Sequence, residues 1–240
     1  MNRIALITGA NKGIGFEIAR QLGQRGATVM VGARNPKKGV EAAGRLKDES
    51  IDARFVLLDV TNEGTIATAA REVEELFGKL DVLVNNAGIQ IDSGLKPSEV
   101  PLDELRRTYE TNVFGPVAVT QAFLPLLKKS QAGRIVNVST GLGSLAQNRD
   151  PNYEFFAVKH LAYNSSKTAL NAITVQFAHE LKDTPIKVNA ADPGYTATDF
   201  NNYKGAGTVE QGATIVVRLA TLEKGGPTGG FFNEAGPLPW

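Results

Sequence analysis

Tyr163 and Lys167 stand four positions apart in the stretch Tyr163-Asn164-Ser165-Ser166-Lys167. On a helix, two such side chains share one face and lie roughly 5–6 Å apart at Cβ. A cation held beside a phenol favours the phenolate and lowers a pKa that is ordinarily about 10. The pair is therefore a candidate proton donor for work near neutrality. A second candidate lies near the start of the chain, in Thr8-Gly9-Ala10-Asn11-Lys12-Gly13-Ile14-Gly15. Glycines let a backbone turn tightly and approach a phosphate, and a helix N-terminus adds free N–H groups and partial positive charge. Gly9, Asn11, Lys12, Gly13, Ile14 and Gly15 are thus candidates to bind a dinucleotide. A dinucleotide with an unmodified adenine ribose usually meets an acid roughly 20 residues further on. Here that position reads Gly32-Ala33-Arg34-Asn35, with no acid. Arg34 and Lys12 instead put two cations near the ribose 2′ position, where arginine can bind a phosphate bidentately. The expected cofactor is NADP(H) rather than NAD(H).

These groups need elements to hold them. Residues 3–8 form a short apolar run expected as a buried strand, and Ile14, Ile18 and Leu22 follow at helical spacing up to Gly26. Further strands are expected at 27–32, 53–58, 81–84, 134–138 and 186–191, with a short one near 230–232. Helices are expected at about 37–48, from an N-cap at Thr61 to Gly78, at 102–129, at 163–182 and at about 208–222. Pro116 and Pro125 are expected to kink or divide the 102–129 helix. Leu170, Ile173, Thr174, Phe177, Ala178 and Leu181 give the 163–182 helix a core-facing stripe, and Pro185 stops it. Strands alternating with helices, each strand a nearly continuous apolar run, imply an α/β fold with one parallel sheet covered on both faces. Ligands in such sheets lie at the carboxyl ends of the strands. The polar and Gly-rich clusters at 8–15, 32–35, 59, 85–88, 139–143 and 192–199 all follow strands and should converge on one rim.

Composition narrows the class. The chain has 240 residues, 42% of them hydrophobic and 21% charged, which fits one soluble domain over residues 1–240. Lys+Arg of 26 against Asp+Glu of 25 leaves no basic surplus for nucleic acid. The apolar runs are strand-sized, so no membrane span is expected. Met1-Asn2-Arg3 leads directly into an apolar strand, so a secretory leader is not expected. The absence of cysteine excludes disulfides and thiol catalysis and agrees with a cytoplasmic protein. The two histidines, His160 and His179, are far apart in sequence and read as surface residues, so no metal site is expected.

The motifs together resemble the short-chain dehydrogenase/reductase family along nearly the whole chain. The residues carrying the likeness are Thr8-Gly9-Ala10 with Gly13-Ile14-Gly15, Asp59-Val60, Asn85-Asn86-Ala87-Gly88, Asn112, Ser139, Tyr163 with Lys167, and Pro193-Gly194. From Ser139 onward the chain is similar to carbonyl-reductase-type members that prefer NADP(H). The resemblance implies a single-domain Rossmann fold, a doubly wound parallel sheet of about seven strands with helices on both faces. It implies that Asp59 binds the adenine amine, with backbone contact from Val60, and that Asn86, Ala87 and Gly88 line the adenine-ribose pocket. Pro193, Gly194, Thr196 and Thr198 would approach the nicotinamide carboxamide. Tyr163 would be the proton donor, while Lys167 would bond the nicotinamide ribose and lower the tyrosine pKa. Ser139 would hold the substrate carbonyl, and Asn112 would anchor a water relay. The implied reaction is NADPH-dependent reduction of a ketone or aldehyde to an alcohol. Imine reduction, epimerisation through a keto intermediate and non-catalytic NADP(H) sensing are the alternatives.

One departure stands out. Ser139 and Tyr163 are 24 positions apart, where family members usually have about a dozen residues between them. The extra segment lies within Leu145–Leu161 and borders the expected substrate entrance. Tyr153, Phe155 and Phe156 are candidates to line the pocket, with packing against the sheet edge the favoured alternative. A covering role for this segment leaves monomer or homo-oligomer open. Tyr195 to Lys204 is expected to order over bound cofactor.

Overall fold

The computed structural model describes residues 3–92 and 94–240. The expectation for Met1 and Asn2 lies outside them. The chain alternates strand and helix: β1 (Ile4–Thr8), α1 (Gly13–Gln24), β2 (Thr28–Ala33), α2 (Pro36–Asp48), β3 (Ala53–Leu57), α3 (Glu63–Phe77) and β4 (Val82–Asn85). The second half adds α4 (Leu102–Tyr109), α5 (Gly115–Lys128), β5 (Arg134–Val138), α6 (Leu145–Asn148), α7 (Leu161–Glu180), β6 (Lys187–Ala191), α8 (Val209–Ala220), β7 (Phe231–Asn233) and β8 (Gly236–Pro237). The strands form one sheet in the order β3-β2-β1-β4-β5-β6-β7-β8. All pairings from β3 to β7 are parallel, and β8 turns back antiparallel on β7. The two-residue β8 is the one strand the sequence pattern did not announce.

Both sheet faces are covered, which explains the unbroken apolar strands. Ile7, Val31, Val84 and Val136 point to a core closed by Ile18, Leu22, Leu46 and Val216 of α1, α2 and α8. Leu6, Met30, Leu83 and Ile135 point the other way, to Ile66, Phe123, Leu127 and Ala178 of α3, α5 and α7. Each such side chain, fully buried, contributes about 1.5–3 kcal/mol. The chain runs β1, β2, β3 outward in one direction and then crosses back to place β4 on the other side of β1. The loops after β1 and β4 therefore diverge and leave a crevice at their carboxyl ends.

Two local expectations are corrected. Asn62, not Thr61, caps α3: its side chain accepts from Thr65 N at 3.1 Å. Thr61 is occupied by Asp59, to which its amide and hydroxyl donate at 3.0 and 2.8 Å. The prolines do not divide the 102–129 helix. A π-helical segment, Glu110–Phe114, separates α4 from α5, and Pro116 lies in the first turn of α5. There its missing N–H breaks no bond within that helix.

The segment between α6 and α7 folds back on itself. Lys159 Nζ donates to the Asn148 carbonyl and side-chain oxygens, both at 2.6 Å, and lies 4.5 Å above the Phe156 ring. It flanks the outer face of α7, where Leu145, Asn148 and Lys159 line a groove with Thr168 and Ala172. Among the described residues, no helix is long and apolar enough to cross a membrane.

Candidate active site

The crevice beside β1 is stitched together by side chains from both of its walls. Thr8 Oγ1 accepts from the amides of Asn86 and Ala87, each at 3.0 Å, and Asn86 Nδ2 donates to Thr8 O at 2.8 Å. Such close approach demands glycine. A Cβ on Gly15 would stand 2.7 Å from Gly9 O and collide with Asn86 Nδ2, and Gly9 itself has φ of +64°. Helix α1 begins behind this loop with Lys12 as N-cap, and no side chain caps its first turn. Its N–H groups are open to an anion.

Other expected cofactor contacts gather on the same rim. Arg34 follows β2, is exposed, and has no protein acceptor or ion-pair partner among the described residues. Lys12 is less free, because its ammonium is paired with Asp199. That pair ties the 195–204 segment to the loop, and a Cβ on Gly13 would touch the Thr198 methyl at 3.6 Å. Asp59 follows β3, and Val60 packs where a Cβ on Gly115 would meet it at 3.0 Å. Gly194 has φ of +72° with open space beside it, and Thr196 Oγ1 donates to Pro193 O at 3.0 Å. Asn11 and Ile14 flank the glycines, Ile14 turned onto the core.

Tyr163 and Lys167 lie in the first turns of α7, and this helix start is held from afar. Asp92 is fully buried, and its Oδ2 accepts from Ala162 N at 2.6 Å. A carboxylate is well placed against a helix N-terminus. No sequence signal marks Asp92, because the partner is 70 positions away. Lys167 Nζ is buried and donates to Val138 O at the end of β5 at 2.7 Å. It also stands 3.6 Å from where a Gly88 Cβ would be, with Asn112 Oδ1 3.4 Å from the same point. Asn112 belongs to the π-helical segment, and its side chain binds both backbone groups of Ile89, at 2.8 and 2.9 Å, and Ser166 Oγ at 3.0 Å. Such π segments often occur at functional sites.

Electrostatics correct one expectation. Burial pushes the Tyr163 phenol above its ordinary 10.0, and the Asp192 carboxylate pushes it the same way. This upward push outweighs the lowering expected from Lys167. Its ammonium stands 5.9 Å from the ring centre, and burial lowers its own pKa from 10.5 to about 8.

Ser139 is brought to the rim but turned inward. It is 2% exposed, and its hydroxyl donates to Asn171 Oδ1 at 2.6 Å. Asn171 continues the Tyr163–Lys167 spacing by four more residues, so the helical period could have found it. The neighbouring Thr140 is partly exposed, its hydroxyl oxygen accepts from Leu142 N at 3.3 Å, and its proton meets no acceptor among the described residues.

Tyr153 and Phe155 do not pack on the sheet edge. The Tyr153 hydroxyl crowds Gly141 at the end of β5, and Phe155 meets Tyr195 edge to face at 5.8 Å. Phe156 is instead covered by Lys159.

Comparison with known proteins identifies the family and the fold. Residues 3–208 match the model of the short chain dehydrogenase family. The chain is 39% identical to the short-chain dehydrogenase anuI of Penicillium roqueforti, over 91% of this chain and 88% of that protein. It is 34% identical to (−)-isopiperitenone reductase of Mentha piperita, over 97% and 96% of the two chains. A crystal structure of NADPH-bound carbonyl reductase from chicken fatty liver superposes with a TM-score of 0.87 at 29% identity, covering 100% of this chain and 99% of the other. With its family model matched over most of its length and its fold shared with these oxidoreductases, the chain belongs to the short-chain dehydrogenase/reductase family.

Proposed function

We propose that this protein reduces a ketone or aldehyde to the alcohol with NADPH, and runs the reverse reaction with NADP⁺. The observation that carries this reading is the pairing of Tyr163 and Lys167 at the start of α7, beside the crevice between β1 and β4. The crevice fits the cofactor: an uncapped helix start faces the Gly-rich loop, and Arg34 has no partner for its guanidinium among the described residues. Gly9, Asn11, Gly13, Ile14 and Gly15 would hold the pyrophosphate, and Arg34 with Lys12 the 2′-phosphate. Asp59, Val60, Asn86, Ala87 and Gly88 would line the adenosine, and Pro193, Gly194, Thr196 and Thr198 the carboxamide end. A nicotinamide bound there would supply the hydride and, once oxidised, positive charge.

The protein's own residues handle the oxygen. As hydride reaches the carbonyl carbon, the C–O π electrons move to oxygen and need donors already in place. Tyr163 transfers its phenolic proton to that oxygen, giving the alcohol and a tyrosinate. Lys167, held by Val138 O, would supply the cation that steadies the tyrosinate and would hydrogen-bond the nicotinamide ribose. Asn112 holds the kinked backbone of a relay through which solvent returns the proton. Ser139, given the carbonyl-holding role by family resemblance, orients the carbonyl only if its hydroxyl leaves Asn171. Among the described residues Thr140 has its proton free without any such change, and we assign it a share of that task.

Following NADPH absorbance with aryl ketones, diketones, keto esters and aldehydes tests the proposal. Tyr163→Phe should lower turnover about 10²–10⁴-fold with little change in NADPH affinity. Turnover surviving in Tyr163→Phe would remove its assigned role. Tight NADPH binding without turnover of any carbonyl would favour a sensor.

A further inference from the structure

Resting on the carbonyl-reductase reading, we propose that the substrate carries a protonated amine, received by Asp192 and the rings of Tyr153, Phe155 and Tyr195. Three oxygens from three segments surround Gly141, and the carboxylate among them acts electrostatically on the Tyr163 phenol. A Cβ placed there would meet the Tyr153 hydroxyl, Gln147 Oε1 at 2.8 Å and Asp192 Oδ2 at 3.3 Å. Gln147 Oε1 is buried and accepts no hydrogen bond among the described residues. Asp192 accepts from Gly194 N at 2.9 Å and from the Gly141 backbone, and no ion pair involves it among the described residues. The site therefore offers acceptors and negative charge without a cation.

The walls suit an ammonium as well. Tyr153 and Phe155 meet edge to face at 5.7 Å, and Phe155 and Tyr195 at 5.8 Å, so aromatic surface runs outward from the carboxylate. Tyr195 is 45% exposed, as is Phe200, whose ring lies 5.8 Å from that of Tyr163. Ring faces attract cations, the more so when desolvated. Asp192 is partly buried and accepts only backbone amides, so its charge meets no counter-ion among the described residues. A neutral hydroxyl would satisfy Gln147 but leave the charge on Asp192 uncompensated, whereas an ammonium answers both. Burial raises the Asp192 pKa, and a bound cation would reverse that shift.

A matched set of six-membered ketones tests this: 1-methyl-4-piperidone with its amine protonated, 4-hydroxycyclohexanone and 4-methylcyclohexanone. NADPH oxidation is followed for the wild type and Asp192→Asn, which keeps an acceptor for Gly194 N. The wild type should prefer the cationic ketone by about tenfold or more in kcat/KM, and Asp192→Asn should erase that preference. Because the ratio between ketones is compared within each variant, any effect of Asp192 on Tyr163 cancels. Preference for the methyl or hydroxyl ketone, or an equal loss for all three in Asp192→Asn, would overturn the proposal. If the wild type turns over neither these ketones nor any carbonyl of the wider panel, the carbonyl-reductase reading fails by itself. Thermal stabilisation by N-methylpiperidinium that is lost in Asp192→Asn would then still support the amine site, and its absence would end it.

Discussion

Lys167 Nζ stands 5.9 Å from the centre of the Tyr163 ring and gives a 2.7 Å hydrogen bond to Val138 O. The cation is thus anchored to the end of β5 rather than to the phenol. Burial lowers the lysine from 10.5 to about 8. The folded protein loses this proton as pH rises through about 8, while the unfolded chain keeps it to about 10.5. Two outcomes of opposite sign follow. In the free enzyme, kcat/KM for carbonyl reduction should fall as pH rises through about 8. Over the same interval the unfolded chain binds more protons, so the contribution of this group to stability should rise. A kcat/KM profile flat through pH 8 would show that the charge on Lys167 does not matter.

Ser139 donates to Asn171 while Thr140 only accepts from Leu142 N, so the two hydroxyls proposed to hold the carbonyl can be separated by mutation. Thr140→Val should lower kcat about 10-fold or more with KM for NADPH unchanged, as expected when one oxyanion donor is lost. Ser139→Ala should lower thermal stability, because it leaves Asn171 Oδ1 buried without its donor. Kinetics with Ser139→Ala severely impaired and Thr140→Val normal would return the carbonyl to Ser139.

Arg34 and Lys12 should differ in their effect on cofactor choice. Arg34 has no competing partner among the described residues, so Arg34→Ala should raise KM for NADPH about 10–100-fold, against little change for NADH. Lys12 must be shared with Asp199, and Lys12→Ala should cost less. Equal losses for both cofactors in Arg34→Ala would contradict a 2′-phosphate contact.

The Lys12–Asp199 pair also bridges the phosphate loop and the 195–204 segment. Asp199→Asn should make that segment more open to limited proteolysis, and NADPH should protect the wild type there. Identical cleavage with and without NADPH would rule out ordering of this segment over the cofactor.

Asp92 fixes the end of α7 that carries Tyr163. Asp92→Ala removes the acceptor for Ala162 N and should cost about 0.5–2 kcal/mol, as other lost caps do. For a chain of this size that is a fall of about 1–8 °C in Tm. The kcat should fall with it, since a shifted helix start misplaces the phenol. A normal Tm would show that the helix start holds without Asp92.

The sequence by itself determined the alternation of strand and helix, the family and the rim. Arg134–Val138 was legible to the residue because Ile135, Val136 and Val138 form a short β-branched run between Gly133 and Ser139. The Gly-rich loop, Arg34 and the Tyr163–Lys167 spacing are equally local, since each depends on residues within one turn or one loop. Tertiary structure alone decided where hydroxyls and charges point. The inward turn of Ser139, the capping of α7 by Asp92 and the grip of Val138 O on Lys167 each join segments 29 to 70 positions apart. The π-helical segment at Asn112 replaced an expected proline kink for the same reason, since Ile89 and Ser166 draw that side chain in from two other segments. Tyr153 was visible as an aromatic in an unusual insertion. That it meets Gly141 near Asp192, beside the phenol, follows only once β5 and β6 lie side by side.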